Sequence, residues 1–447
     1  MSYHFIGIGG IGMSGLARML LQKGKRVTGS DMASSYVTDG LIKAGAVISF
    51  GHAKEHVPEG ATVIYNSDIP QENPELKVAK EKKHPLLHRS DLLLALMENH
   101  QILAVTGTHG KTTTTALLTH VFTTAGLDPA FAVGGVMRGL EINAAYGQGG
   151  YFIAEADESD GTFLKYPYHK AIITNIDNDH LAHFGSWEKL VEGFQAFINK
   201  ANTSDALIYC IDDPTLASLH IPGIAYGFSE KADFRIRNFR QSGWQIEYDI
   251  HTKSATYSQI SCNLTGRHNA LNSTAVFALS LACGVPIEAI RKAFMSFDGV
   301  KRRLEKKGEA KGILAIDDYA HHPTEIKATL AALRAANVER PIVALFQPHR
   351  YSRMRYCIND FDHVFESADL VVVTDLFTAK EAPVVGVSTE TIFHNIQKTC
   401  KKCLHMPREA LVREVSKILP KDAIVITLGA GDITKVGTEL IEHVQRS

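Results

Sequence analysis

The run Gly107-Thr108-His109-Gly110-Lys111-Thr112-Thr113-Thr114 carries the residue types of a phosphate cradle. Glycines between a strand and a helix leave several backbone N–H groups free to converge on one anion, and the helix dipole adds to that field. Lys111 is placed for the outer phosphates of ATP, and the hydroxyl of Thr112 or Thr113 for the Mg2+ that travels with it. The spacing is shorter than the common G-x-x-x-x-G-K-[ST] form, since Val105 stands five before Gly110. A plain strand-to-helix turn with a solvated lysine is the bland reading. The Gly-Lys-Thr triplet in this context favours phosphate.

Two acidic segments follow, Glu155-Ala-Asp157-Glu158-Ser-Asp160 and Asn175-Ile-Asp177-Asn-Asp179-His180, each after an apolar, strand-like run. Open α/β sheets bind ligands at such strand ends, and carboxylates with an imidazole suit Mg2+. Glu155 and His180, nearest their strands, are the expected ligands. Asn269 and Asn272 share a helix face at i, i+3 and offer donors and acceptors to an adenine edge or a phosphate. For Asn269 the bland alternative is a helix N-cap. Arg303 suits a transferring phosphoryl group, and Asp318 suits ribose hydroxyls. In Gln347-Pro-His349-Arg350-Tyr-Ser-Arg353, three cationic or imidazole groups within a few residues suit a carboxylate. No cysteine or ligand spacing supports zinc at the histidines here or in Tyr319-Ala-His321-His322.

The elements that must position these groups read as three α/β segments. Residues 1–97 alternate strands at Tyr3 to Ile8, Arg26 to Gly29, Val47 to Phe50 and Thr62 to Tyr65 with helices at Gly12 to Lys23 and Tyr36 to Ala44. The first turn, Gly7-Ile-Gly9-Gly10-Ile11-Gly12, matches G-x-G-x-x-G and has Asp31 about twenty residues beyond it. That pattern demands a diphosphate at a helix N-terminus and a ribose hydroxyl near Asp31, which a UDP-sugar meets as well as NAD. Residues 98–298 hold the cradle, with strands at 102–105, 151–155, 170–174 and 206–210, helices at 112–125 and 269–283, and a β-rich stretch over 224–260. Residues 299–447 repeat the parallel pattern, with strands at 313–317, 341–346, 370–374 and 423–427 and helices at 323–335 and 408–419. The turn Gly429-Ala-Gly431-Asp432 either faces a ligand or is a tight connection.

Composition sets the bounds. At 447 residues the size prior gives about three domains. Hydrophobic content of 45%, charged content of 21% and a net charge of −1 are those of a globular enzyme and give no support for a nucleic-acid or membrane partner. No apolar run approaches the roughly eighteen residues that span a bilayer. Nor does the N-terminus read as a signal peptide. Of six cysteines only Cys400 and Cys403 have a redox spacing, so reduced thiols in a cytoplasmic protein are expected.

Taken together, the cradle, Glu-Ala-Asp-Glu-Ser-Asp, His-Asn-Ala-Leu-Asn, Asp-Asp-Tyr-Ala-His-His-Pro-Thr-Glu and Gln-Pro-His-Arg-Tyr-Ser-Arg occur in an order that resembles the Mur ligases over essentially the whole chain. The resemblance implies three domains: a Rossmann-like one for UDP-N-acetylmuramate, a central P-loop ATPase-like one, and a Rossmann-like C-terminal one for the amino acid. It implies ATP-dependent ligation of L-alanine to the lactyl carboxylate through an acyl phosphate, in peptidoglycan precursor synthesis. ATP contacts then fall to Gly107, Thr108, His109, Gly110, Lys111, Thr112, Thr113, Asn269, Asn272, Arg303 and Asp318. Mg2+ falls to Thr112, Glu155 and His180, with Lys111, His180 and Arg303 as the catalytic groups. Gly9, Gly10, Ile11, Gly12, Ser30, Asp31 and His52 are implied for the UDP-sugar, and Tyr319, His349, Arg350 and Arg353 for alanine. Several members carry a carbamylated lysine after the Asp-His motif, whereas residues 192–196 here hold none. A recycling ligase that takes murein tripeptide is the nearest alternative. A monomer or weak homodimer is expected.

Overall fold

The computed structural model describes residues 1–446, Ala182 by its backbone alone. Three sheets succeed one another along the chain, giving the three-domain α/β architecture. The first is parallel throughout, in the spatial order Val47–Phe50, Arg26–Asp31, Ser2–Ile6, Thr62–Tyr65, Leu86–His88. The chain starts in the middle and winds outward both ways, so the glycine turn after Ser2–Ile6 lies at the switch point where a crevice opens. Gly7, at φ +74°, turns the chain out of the strand two residues before the sequence reading ends it.

The second sheet has ten strands. Gln101–Thr106 lies near its middle, between Lys170–Ile173 and Tyr151–Glu155 and parallel to both. The register pairs Thr106 with Ile173 and Val105 with Glu155. One edge of the sheet therefore collects the cradle and both acidic segments. The β-rich stretch resolves into Ile224–Gly227, Phe234–Ser242, Gln245–His251 and Thr256–Cys262, the last three antiparallel. Helix Lys111–Thr124 has no single apolar stripe because it is enclosed, with the sheet on one side and helices Arg267–Ala282 and Ile287–Ser296 on the other. Its threonines survive burial by bonding backward along the helix: Thr115 Oγ1 donates to Lys111 O and Thr119 Oγ1 to Thr115 O, both at 2.8 Å.

The third sheet runs Glu305–Ala310, Ile313–Asp318, Ile424–Leu428, Ile342–Phe346, Leu370–Val373, Cys403–His405, parallel except for its first hairpin. Its four inner strands are buried at every position, which is why they are apolar throughout except at Asp317, Asp318 and Thr427. The expected helix over 408–419 shortens to Leu411–Ser416. Arg408 N–H is taken by Asp375 Oδ2 at 2.9 Å, and the amides of Ala410 and Leu411 bond three residues back, so the first turn is not α-helical. The turn at Gly429 to Asp432 is a connection: Arg302 donates to the carbonyls of Gly429 at 2.6 Å and Ala430 at 3.2 Å. Trp244, at the tip of the hairpin between Phe234–Ser242 and Gln245–His251, leans on the core of the third domain, with Lys306 Nζ 4.4 Å from its ring centroid. Among the described residues no helix is long and apolar enough to cross a membrane.

Phe346 is fully buried, with its ring centroid 5.6 Å from that of Phe361 and 5.5 Å from that of Phe365. Phe346→Ala should destabilise the third domain by about 3–5 kcal/mol, the combined transfer and cavity cost. Chemical denaturation followed by a probe in that domain checks it.

Candidate active site

The cradle forms as its sequence suggests. Gly107 at φ +122° and Gly110 at φ +83° take conformations that side chains resist. A Cβ on Gly110 would also stand 2.8 Å from Asn272 Oδ1. Lys111 lies folded into its own loop, donating to the carbonyls of Gly107 at 2.7 Å and Thr108 at 3.1 Å, with the Glu158 carboxylate 2.9 Å away. Burial works to lower the lysine's pKa, but Glu158, Asp157 and Glu155 outweigh it and hold the ammonium charged. Burial pushes Glu158 up to about 7 against the pull of Lys111, whose Nζ lies 2.9 Å from both carboxylate oxygens.

Next to this pair, Thr112 Oγ1 donates to Glu155 Oε1 at 3.0 Å, and Gly134 N–H donates to Oε2 at 2.7 Å. Burial raises the pKa of Glu155. His180 takes a left-handed backbone at φ +60° and brings Nε2 to 3.6 Å from Glu158 and 3.7 Å from Asp179. Burial depresses its pKa, leaving a neutral imidazole. Thr112, Glu155 and His180 line one cavity. Glu158 stands beside them unannounced, because the strand stops at Glu155 and alternation cannot say which of the next carboxylates turns inward.

Two cavities meet here. One, of about 790 Å3, is lined from all three domains, by Gly12 and Arg89, by Lys111 and His180, and by His349 and Arg353. The other, of about 670 Å3, is lined by Asn269, Asn272, Asp318, Lys306 and Trp244. Both touch Gly110, Arg303 and Glu325. Asn269 is not an N-cap: Gly266 is, and Asn269 lies inside the helix, its amide donating to Thr265 O at 2.8 Å. Asn272 Nδ2 donates to Asn269 Oδ1 at 3.0 Å, which leaves Asn272 Oδ1 against Gly110. Asp318 accepts the amides of Leu304 at 2.7 Å and Ala320 at 2.8 Å, and burial pushes it up to about 6.

His109 is engaged by two carboxylates. Its Nε2 is 2.8 Å from Asp177 Oδ2 and its Nδ1 is 3.3 Å from Glu325 in the third domain. Burial opposes its charge, yet those two carboxylates raise it to about 9. His109, Asp177 and His322 also lie close enough to share a metal ion, although a protonated His109 makes them an ion-pair cluster.

At the third-domain wall, Arg353 donates to Asp179 Oδ1 at 3.2 Å and to His349 Nδ1 at 3.2 Å. Burial and the neighbouring His321 and arginines push His349 down to about 3, so its ring is a neutral acceptor. Arg303 sits with its guanidinium carbon 5.2 Å from the Tyr319 ring centroid. Arg350 lines the same cavity but is drawn toward Glu381 at 4.0 Å and stays half exposed. In the first domain, Gly10, Ile11 and Gly12 line the large cavity. The Gly9 N–H is taken by Asp31 Oδ2 at 2.8 Å, and Ser30 and His52 join each other at 3.0 Å beneath the sheet end.

Three profiles of the Mur ligases match in turn: the family's catalytic domain at residues 2–101, its middle domain at 105–280 and its glutamate ligase domain at 302–431. The chain is 45% identical to the UDP-N-acetylmuramate–L-alanine ligase of Protochlamydia amoebophila, covering 99% of this chain and 98% of that one. It is 42% identical to the enzyme of the same name from an Anaeromyxobacter species, covering 98% and 96%. Among solved structures, the UDP-N-acetylmuramate-alanine ligase of Thermotoga maritima superposes with a TM-score of 0.84 at 28% identity, covering 100% of this chain and 99% of that one. A murein peptide ligase from Psychrobacter arcticus shares the fold at a TM-score of 0.75 and 21% identity, covering 100% and 99%. With its cradle, acidic strand ends and third-domain arginine gathered around one cleft, and all three profiles matched in order, this chain belongs to the Mur ligase family.

Proposed function

We propose that the chain is an ATP-dependent ligase that joins L-alanine to the lactyl carboxylate of UDP-N-acetylmuramate. The observation that carries this reading is the large cleft itself, where a phosphate cradle on one wall faces a partly buried arginine with a neutral imidazole on the other. The full-length relatives from Protochlamydia and Anaeromyxobacter carry that activity in their names. The tripeptide-recycling alternative has the weaker support, since the Psychrobacter likeness speaks for fold alone. By this reading residues 1–97 hold the UDP-sugar, 98–298 the nucleotide and 299–447 the amino acid, in a cytoplasmic enzyme.

The chemistry follows from the substrates. A carboxylate oxygen attacks the γ-phosphorus and ADP departs, giving an acyl phosphate. The amine of alanine then attacks the carbonyl carbon, loses a proton, and phosphate departs. Lys111 swings from Glu158 and the loop carbonyls to the phosphates, and Arg303, shared by both cavities, holds the group in transfer. Arg353 exchanges Asp179 for the alanine carboxylate, with Tyr319 walling the methyl side. The donor set fits Mg2+: a hydroxyl, the Glu155 carboxylate, the His180 imidazole and the buried Glu158 carboxylate once Lys111 has left it. When bound, the ion supplies positive charge to the phosphate oxygens.

Lys111→Ala should fold and lose ADP formation, since nothing else in the loop carries an ammonium. Phosphate release from ATP with UDP-N-acetylmuramate and alanine checks it, and near-normal release refutes the cradle. Arg353→Ala should raise the alanine KM by the equivalent of about 2–5 kcal/mol, the cost of leaving a buried charge unpaired, with ATP affinity retained. Loss of ATP binding with alanine KM unchanged would assign this loop to the nucleotide instead.

The His109 pair gives a pH dependence with a definite sign. A histidine raised to about 9 contributes its full stabilisation below its ordinary value near 6.5 and loses it as pH climbs through about 9. Melting temperature should therefore fall between these limits in the wild type and fall less in His109→Gln. Parallel curves would show that the pair contributes nothing.

A further inference from the structure

One buried carboxylate has no part in the chemistry above. Glu75 is fully buried in the first domain, in the first turn of helix Pro74–Glu81, and three histidines surround it. Its Oε2 accepts the Ser30 Oγ–H at 2.7 Å and lies 3.1 Å from His4 Nε2. Its Oε1 accepts the Ala53 N–H at 3.1 Å and lies 3.4 Å from both His52 Nδ1 and His56 Nδ1. Burial alone would raise this carboxyl, but the His4 and Ser30 hydrogen bonds outweigh it and keep it ionised. Burying a carboxylate is costly unless it is paired and hydrogen-bonded, and nothing in the packing of this small sheet requires one.

What it dictates follows from counting protons. An ionised carboxylate only accepts, so the single Ser30 hydroxyl proton must point at Glu75. The 3.0 Å contact between Ser30 Oγ and His52 Nδ1 then requires the proton on nitrogen. The same nitrogen faces Glu75 Oε1, a second acceptor. A neutral His52 thus carries its hydrogen on Nδ1 and presents a bare lone pair at Nε2. The ring is 17% exposed, whereas Glu75 is sealed.

His52 also has the right address. Ser30 lies near the end of strand Arg26–Asp31, and His52 follows the neighbouring edge strand Val47–Phe50, with Asp31 paired to Phe50. Both stand at the carboxyl ends of the parallel strands, beside the glycine turn that would take a diphosphate. A nucleoside extending from that diphosphate over the edge strand meets His52.

We propose that Glu75 is a positioning residue that, through Ser30, fixes His52 as the Nδ1–H tautomer so that Nε2 accepts the N3–H of uracil. The chain Glu75–Ser30–His52 then selects uridine over cytidine, because cytosine offers a lone pair at N3 where uracil offers a hydrogen. The inference rests on the UDP-sugar reading of the first domain.

The test measures binding of UDP and CDP to the whole enzyme, beside steady-state kinetics. Glu75→Gln introduces an amide donor, undoes the proton count and lets the imidazole flip. It should raise KM for UDP-N-acetylmuramate about tenfold, as expected for one mispaired buried donor, with the effect absent from the KM of ATP and of alanine. The preference for UDP over CDP should collapse equally in Glu75→Gln and His52→Ala, and the double variant should lose nothing more. Long-range 1H–15N NMR of the wild-type imidazole should show the proton on Nδ1, a readout that holds even if Glu75→Gln fails to fold. An Nε2 proton, or an unchanged UDP preference in His52→Ala, overturns the proposal. A wild type that binds UDP selectively but forms no product with alanine would instead overturn the reading of the reaction.

Discussion

The ion pair between Lys111 and Glu158 is the constraint around which the central domain is arranged. A phosphate cradle concentrates N–H groups and positive charge, so without an anion it repels itself. Here the lysine is withdrawn into its own loop carbonyls and matched by a sealed carboxylate. Burial makes both halves expensive to leave alone, so moving the ammonium to a phosphate strips Glu158 of its counter-charge. His180 Nε2 stands 3.6 Å from that carboxylate. By the proposed reading, a cation arriving with the nucleotide would answer the demand that the lysine's departure creates.

The same arithmetic of charge joins the domains. Arg89 meets Asp160 at 2.7 Å between the first and central domains, while Arg353 meets Asp179, and His109 meets Glu325, between the central and third. In each case the central domain contributes from a strand-end loop or from the cradle. By the proposed reading, ligand binding and the contacts between domains would draw on one set of groups. A ligand carboxylate that captures Arg353 competes with the contact that holds the third domain in place.

Features governed by neighbours in the chain could be read from the sequence. The glycine-lysine-threonine turn, the apolar strands of the third domain and the i, i+3 asparagines are all local. Pairings were not, because Arg353 and Asp179 lie 174 residues apart and nothing at either position names the other. The partner of His109 was hidden for the same reason. Glu75 was invisible altogether: in Asn-Pro-Glu-Leu-Lys it looks like an ordinary acidic first-turn residue, and only folding surrounds it with His4, His52 and His56. Asn269 was ambiguous between cap and interior because the true cap, Gly266, carries no side-chain signal. The helix over 408–419 ran long in the reading because propensity cannot see Asp375 claiming the amide of Arg408.

The hairpin tip carries one last consequence. The chain has two tryptophans, and one of them, Trp244, belongs to the central domain yet rests on the core of the third, with a lysine ammonium over its ring. Separating the two domains would carry that indole from a half-buried, charged setting into water while leaving Trp187 on its own helix. The protein thus contains a native fluorophore at the seam between its central and third domains, whose emission is tied to the distance between them.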